Sequence, residues 1–328
     1  MVLTAASLAH YLLERDLVSN ASLVDGDFHV DDVSHRNRVF LVLRGPHPGY
    51  VVKQVKEWKS DSIETLASEA QFYSLMRTEP KLASLRQSLP HCYSYDADNQ
   101  VLVLEFVHQS PHDSQDETRF SVEFAKSVGE SLRQWHRDTS DANLFEDFHG
   151  SPPWVLSLHR SNDENVKPAN AELRRILKRD AAFGRALDEL REQWRPAALI
   201  HGDMKWGNCL IASDTALPRF IDWEMAVWGD PLWDAAGILQ EYLGAWARLG
   251  RPYEEIAPPI QAFWKAYGED YETFPKAVRY AAARMIQTAY EIQKDEENMT
   301  APAVRLLQAA FNILTTSGEA VAIYFGID

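Results

Sequence analysis

The sequence is short of cysteine and of positive charge, and it has no long apolar run. Only Cys92 and Cys209 occur in 328 residues, too few for a disulfide framework or a Cys-rich zinc site. Lys and Arg number 33 against 48 Asp and Glu, a formal charge of −15. That balance argues against non-specific binding to nucleic acid or to an anionic membrane, both of which need a basic face. It leaves room for a local basic site on a polyphosphate. No stretch reaches the roughly 18 apolar residues of a membrane span. Glu14, Arg15 and Asp16 interrupt the only apolar stretch near the N-terminus, unlike a secretory signal. A cytoplasmic setting is expected. Three motifs are also missing. There is no G-x-x-x-x-G-K-[ST], no G-x-S-x-G, and no H-E-x-x-H among the histidines, which sets aside a Walker-type site, a hydrolase elbow and a zinc site.

What is present is apolar content of 45% and aromatic content of 11%, enough for a large core. At roughly 100–200 residues per domain, this length fits two domains or one domain of two lobes. The first hundred residues mix strand and helix signals. A short amphipathic helix is predicted over 8–17 with Ser7 as N-cap. Strands are predicted over 22–30, 38–43, 50–55 and 101–107, the middle two joined by a turn over 45–49. A helix is predicted over 62–77, with Phe72, Leu75 and Met76 at helical spacing. Residues 109–118 are polar and turn-rich and read as a linker. Beyond them helices dominate, over 122–135, 171–194, 277–293 and 304–323, interrupted by an island of short strands over 198–233.

That island carries the chemistry. It reads Leu199-Ile-His-Gly-Asp-Met-Lys-Trp-Gly-Asn-Cys-Leu-Ile211 and then Phe220-Ile-Asp-Trp-Glu224. Phosphoryl transfer needs a carboxylate to accept a hydroxyl proton, and an amide plus a carboxylate to hold Mg²⁺ on the phosphates. Asp203, Asn208 and Asp222 supply these in that order, at the spacing of the kinase loop H-x-D-x-x-x-x-N and the metal-binding Asp on the next strand. The N-terminal half offers the complementary pair. Lys53 lies mid-strand among apolar neighbours, an unusual place for lysine. Glu69 shares the core-facing stripe of the following helix, and Glu64, nearer its start, ranks behind it.

The H-G-D-x-x-x-x-N loop, the Asp222-Trp223-Glu224 segment and Gly229-Asp-Pro-Leu-Trp-Asp234 resemble the aminoglycoside phosphotransferase/choline kinase-like family. The resemblance implies an α+β, protein-kinase-like fold of two lobes: an N-lobe over 1–108 with an antiparallel sheet and a helix, and a larger, mostly helical C-lobe over 109–328. It implies Asp203 and Lys205 as catalytic, Asn208 and Asp222 as metal ligands, and Lys53 and Glu69 as the phosphate-binding pair. Backbone groups of Glu105 and Val107 would bind adenine, and Ser34 and Asn37, in a turn without G-x-G-x-x-G, would cover the phosphates. The cofactors implied are ATP or another nucleoside triphosphate and Mg²⁺.

Lys205 departs from the small-molecule members, which commonly read H-G-D-[LIV]-[HS]-x-x-N, and a cation there would touch the γ-phosphate. The same segments are similar to the kinase-like subunits of class V lanthipeptide biosynthesis, which phosphorylate Ser/Thr of a precursor peptide with a separate lyase partner. The hydroxyl acceptor is therefore expected to be such a peptide or a small molecule, an aminoglycoside or amino alcohol. A pseudokinase that binds nucleotide as a partner subunit is the third reading, although no catalytic position is lost. Acidic residues after Gly237, among them Glu241, Glu254 and Glu291, would suit a cationic acceptor or a solvated surface. Asp230, Asp234 and His201 read as structural, Asp234 as a cap or a brace of the catalytic loop, and the tryptophans around the island as core.

Overall fold

The computed structural model describes residues 1–328 apart from 25–27, 35–36, 46, 109–114, 163–165, 213–216, 269, 271 and 328. The chain divides into two compact units, Met1–Ser110 with Leu210–Ala226, and Pro111–Cys209 with Val227–Asp328. The expectation drew all of 109–328 as one lobe; the segment Leu210–Ala226 instead clusters with the first unit.

The first unit opens with α1 (Ala5–Leu13), whose N-cap is Thr4 in a reciprocal capping box with Ser7, three residues earlier than the cap expected at Ser7. A short α2 (Asn20–Val24) then occupies part of the span read as strand. Asn20-Ala-Ser-Leu-Val has no alternation to hold it in a sheet, and the strand itself, β1 (Phe28–Asp32), starts later. It is followed by β2 (Arg38–Arg44), β3 (His47–Gln54), α3 (Ser60–Thr78), β4 (Cys92–Asp96) and β5 (Val101–Glu105). The strands form an antiparallel sheet in the order β1-β2-β3-β5-β4. Sequence reasoning missed β4, although Cys-Tyr-Ser-Tyr-Asp alternates in the manner of a strand. Strand side chains alternate between faces. Tyr50 and Val52 therefore join Leu8, Tyr11 and Leu12 of α1 in one core, while Lys53 points to the opposite face. The register places Lys53 opposite Val39 on β2 and Leu102 on β5, in the middle of the sheet.

The second unit is largely helical. It contains α4 (Gln115–Arg119), α5 (Val122–Asp138), α6 (Pro168–Arg179) and α7 (Ala181–Glu192). Residues 109–114 of the expected linker lie outside the described residues; its remainder falls within α4. The stretch 171–194 is two helices, broken at Asp180, which is extended and caps α7 by accepting from the Ala182 N–H. Next comes β6 (Ala198–Ile200), which pairs with β9 (Val227–Gly229); between them in sequence, β7 (Cys209–Ile211) and β8 (Pro218–Phe220) pair with each other in the segment that clusters with the first unit. The chain ends with α8 (Pro231–Leu249), α9 (Tyr253–Tyr267), α10 (Phe274–Ile292), α11 (Ala301–Thr315) and α12 (Gly318–Tyr324). No helix among the described residues is long and apolar enough to cross a membrane.

Candidate active site

In the first unit the structure brings Lys53, Glu69 and Asp222 together. The Lys53 ammonium donates to both Glu69 carboxylate oxygens, at 2.7 and 2.8 Å, and to Asp222 Oδ1 at 2.7 Å. Glu69 is fully buried, whereas the Asp222 side chain is 38% exposed. Glu64 is exposed, which removes it as the partner. Burial disfavours the Lys53 charge, but Glu69 and Asp222 outweigh it and raise its pKa, so the ammonium persists. Asp222 is held by local geometry. Its backbone lies in the left-handed region at φ 68°, ψ 56°, unusual for a residue with a Cβ. The next residue, Trp223, is fully buried, stacks on Phe72 of α3 at 4.3 Å between ring centres, and donates to the Phe220 carbonyl at 2.9 Å. Packing of that indole fixes the strained turn, so Trp223 is core.

The strand end at Glu105 is arranged to leave one backbone acceptor open. Strand pairing would aim the His91 N–H at the Glu105 carbonyl. That N–H goes instead to the Glu105 side chain at 2.9 Å, while the Glu105 N–H donates to the His91 carbonyl at 2.8 Å. Arg219 donates to the other carboxylate oxygen at 2.7 Å. Among the described residues the Val107 N–H meets no acceptor. Ser34 and Asn37 are not gathered into this cluster. Ser34 accepts from the Val39 N–H at 3.0 Å and donates its own N–H to Asp32 at 3.0 Å, closing the β1–β2 turn. Its hydroxyl is spent on that turn, as Ser side chains do where they compete with strand pairing. Asn37 is buried, with its Oδ1 lacking a hydrogen-bond partner.

In the second unit the loop after β6 carries Asp203, Lys205 and Asn208. Lys205 Nζ donates to Asp203 Oδ2 at 2.5 Å, and Asn208 Nδ2 donates to the Asp203 carbonyl at 2.9 Å. The brace is Asp234, fully buried in the first turn of α8. It accepts from the His201 N–H at 2.6 Å, the Gly202 N–H at 3.0 Å and the His136 ring at 3.3 Å. Burial pushes its carboxyl up, but these donors, His136 first, outweigh it and hold its pKa below the ordinary value. The helix cap is Asp230, which accepts from the Leu232 N–H, so of the two roles open to Asp234 it fills the brace. His201 accepts from the Asp203 N–H at 3.3 Å, a structural role.

Sequence reasoning missed Arg284. It is 4% exposed on α10, donates to the Met204 carbonyl at 2.8 Å and the Gly202 carbonyl at 3.3 Å, and stands 3.6 Å from Asp203. The signal was a lone arginine inside the apolar run Ala281-Ala-Ala-Arg-Met-Ile286.

Mg²⁺ takes one or two protein oxygens and fills the rest of its octahedron with phosphate and water. Asp222 in the first unit and Asn208 in the second each carry an oxygen donor of that kind, and no group of three His, Cys, Asp or Glu able to hold a metal alone occurs among the described residues.

An antiparallel sheet whose central-strand Lys53 pairs with Glu69 of α3, and a helical unit with an H-G-D-x-x-x-x-N loop, define a kinase-like protein. The chain is similar in structure to an ethanolamine kinase from Plasmodium vivax, at TM-score 0.60 and 15% identity over 93% of this chain and 86% of that one. It is similar to a choline kinase from Streptococcus pneumoniae at TM-score 0.59 and 17% identity, over 94% and 99%. It is similar to aminoglycoside 2'-phosphotransferase-IIIa, solved as its GDP complex, at TM-score 0.59 and 14% identity, over 94% and 99%. These likenesses establish the fold. No curated protein matches the chain. Residues 30–276 match the model of the phosphotransferase enzyme family, APH, and the chain belongs to that family. It is a phosphotransferase of the kinase type, acting on a hydroxyl acceptor.

Proposed function

We propose that this enzyme transfers the γ-phosphoryl group of ATP, with Mg²⁺, to the hydroxyl of a small molecule. The observation that carries the reading is Lys53, an ammonium kept charged in a buried setting by Glu69 and Asp222. A lysine so placed serves as a fixed positive charge for phosphate oxygens. In this reading Glu69 orients Lys53, and Asp222 and Asn208 hold the metal. When bound, Mg²⁺ neutralises charge on the phosphates. The Glu105 carbonyl and the Val107 N–H receive the adenine edge, an arrangement supported by the diversion of the His91 N–H to the Glu105 carboxylate.

Asp203 accepts the acceptor's hydroxyl proton as its oxygen bonds to phosphorus. The bond from phosphorus to the β–γ bridging oxygen breaks, and ADP leaves with that electron pair. Lys205 neutralises the transferred group. Ser34 and Asn37 have less support as phosphate contacts, since Ser34 is engaged in its own turn. The peptide acceptor with a lyase partner rests on Lys205 and on the likeness of the loop and Asp222-Trp223-Glu224 segments to lanthipeptide kinase-like subunits, and the Lys205 bond to Asp203 serves a peptide and a small molecule equally well.

Calorimetry of Mg-ATP on wild type and Asp222→Asn tests the nucleotide site; binding is expected in the first and absent in the second. Equal binding in both would overturn the assignment. Mass spectrometry of small hydroxyl compounds and of Ser/Thr-rich peptides after incubation with Mg-ATP reads out the acceptor class. Phosphate on a peptide alone would replace the small-molecule reading.

A further inference from the structure

The loop that carries Asp203 is held by its backbone, and side chains of α8 and α10 supply most of the hold. On the N–H side, His201 and Gly202 donate to Asp234, and Asp203 donates to the His201 ring. On the carbonyl side, Gly202 accepts from Trp233 Nε1 at 3.1 Å and from Arg284 Nη1 at 3.3 Å. Asp203 accepts from Asn208 Nδ2 at 2.9 Å, and Met204 from Arg284 Nη2 at 2.8 Å. The two carbonyls that Arg284 takes are therefore those on either side of Asp203. One of them belongs to Gly202, whose φ of 79° lies in the left-handed region where glycine turns freely. A clamp at this residue acts where the loop has most freedom to swing.

The slot for the guanidinium is shaped for it. Arg284 is 4% exposed and stands 5.1 Å from the centre of the Trp233 ring. A Cβ on Gly237 would come within 3.3 Å of Arg284 Cζ, so α8 is narrowed where the group lies. A planar fork spans two carbonyls in fixed directions, which the point charge of a lysine does not. The fork is spent on the backbone and not on the carboxylate. At 3.6 Å from Asp203 Oδ1, Nη2 is beyond hydrogen-bond range and meets it as a charge only. Lys205 takes Oδ2, and Oδ1 keeps its lone pairs for an acceptor's hydroxyl.

We infer that Arg284 is a positioning residue of the reaction: it aims Asp203 by gripping the peptide groups on both sides of it, and it touches neither nucleotide nor acceptor. The inference rests on the kinase reading above and adds to it a residue from outside the motifs that define the family. Lys205, half-exposed and screened by water, cannot hold Asp203 in one orientation. Arg284, buried beneath the loop, can. Because a displacement of about 1 Å at a reacting group can cost about 100-fold in rate, a hold of this kind is felt in kcat.

The test combines steady-state kinetics with calorimetry of Mg-AMP-PNP on wild type, R284M, R284K, D203N and the double variant D203N/R284K. ADP release from Mg-ATP is followed with ethanolamine, choline, kanamycin or water as acceptor, whichever gives the fastest wild-type rate. R284M should lower kcat by about 100-fold. R284K keeps the charge but not the fork, and should fold and lower kcat by about 10-fold, with KM for ATP and Mg-AMP-PNP affinity as in wild type. It carries the test if R284M does not fold. The double variant should turn over at the rate of D203N, because misaiming a base that is absent costs nothing further. A merely structural role would lower the D203N rate by the same factor again. Wild-type kcat in R284K, a further loss in the double variant, or weakened Mg-AMP-PNP binding with kcat unchanged would each overturn the inference and leave the kinase reading standing. Wild-type protein that neither binds Mg-AMP-PNP nor releases ADP would remove both.

Discussion

The two charged clusters are mirror images in sign. In the first unit a single cation, Lys53, sits between two carboxylates, Glu69 and Asp222. In the second unit a single carboxylate, Asp203, sits between two cations, Lys205 and Arg284. The first cluster has a surplus of negative charge, suited to a metal ion; the second has a surplus of positive charge, suited to a phosphoryl group in transit. Burial differs too. Glu69 is fully buried and its ion pair is part of the core, whereas Lys205 is 44% exposed and its pair with Asp203 is screened by water. The first cluster is therefore expected to govern folding and nucleotide binding together. The second should govern rate with little effect on stability.

Substitutions can separate these roles. The largest expected effect is on rate: Asp203→Asn should lower kcat by about 10²–10⁴, the usual cost of losing a general base. Its melting temperature and Mg-ATP affinity should stay near wild type. A parallel loss of nucleotide affinity would show that the clusters do not divide the work. In the first unit, Glu69→Gln leaves Lys53 with one exposed partner and should cost about 3–5 kcal/mol of stability in denaturant unfolding. The double variant Lys53→Met, Glu69→Leu should regain much of that stability and still fail to bind Mg-ATP, because apolar replacement of both partners removes the buried charges. A double variant as unstable as the single one would contradict the account.

A smaller effect is expected at the contact between α8 and the catalytic loop. Gly237→Ala places a Cβ against the Met204 carbonyl and should cost about 1–3 kcal/mol as overpacking. It should also lower kcat more than it raises KM for ATP, since the loop and not the nucleotide site is displaced. The smallest effect is on pH dependence. The folded pKa of Asp234 lies below its ordinary 3.8. The stability from its ionised form is thus fully present above the unfolded pKa and is lost as pH falls through the folded one. Asp234→Asn should be less stable at neutral pH, with a melting temperature that falls less steeply than wild type below about pH 4. Equal slopes in scanning fluorimetry would assign the acid sensitivity elsewhere.

The residue types and their spacing determined much by themselves. Lys53 on an apolar strand, Glu69 on the core stripe of a helix, and Asp203, Asn208 and Asp222 around short strands were all legible, because strand and helix periodicities are local and a charged residue on an apolar face stands out. The break at Asp180 and the strand β4 were obscured, since a helix stop or a half-buried strand looks much like its neighbours over a few residues. Only the tertiary structure decided which partners those side chains take. It placed Arg284, eighty residues away in sequence, under the loop; it gave the His91 N–H to the Glu105 carboxylate and turned Ser34 inward on its own hairpin. Each of these choices is settled by what must be satisfied when a polar group is buried. The Met204 carbonyl needed a donor, and α10 supplied one. Such pairings depend on which chain segments meet after folding, so no local pattern in the sequence records them.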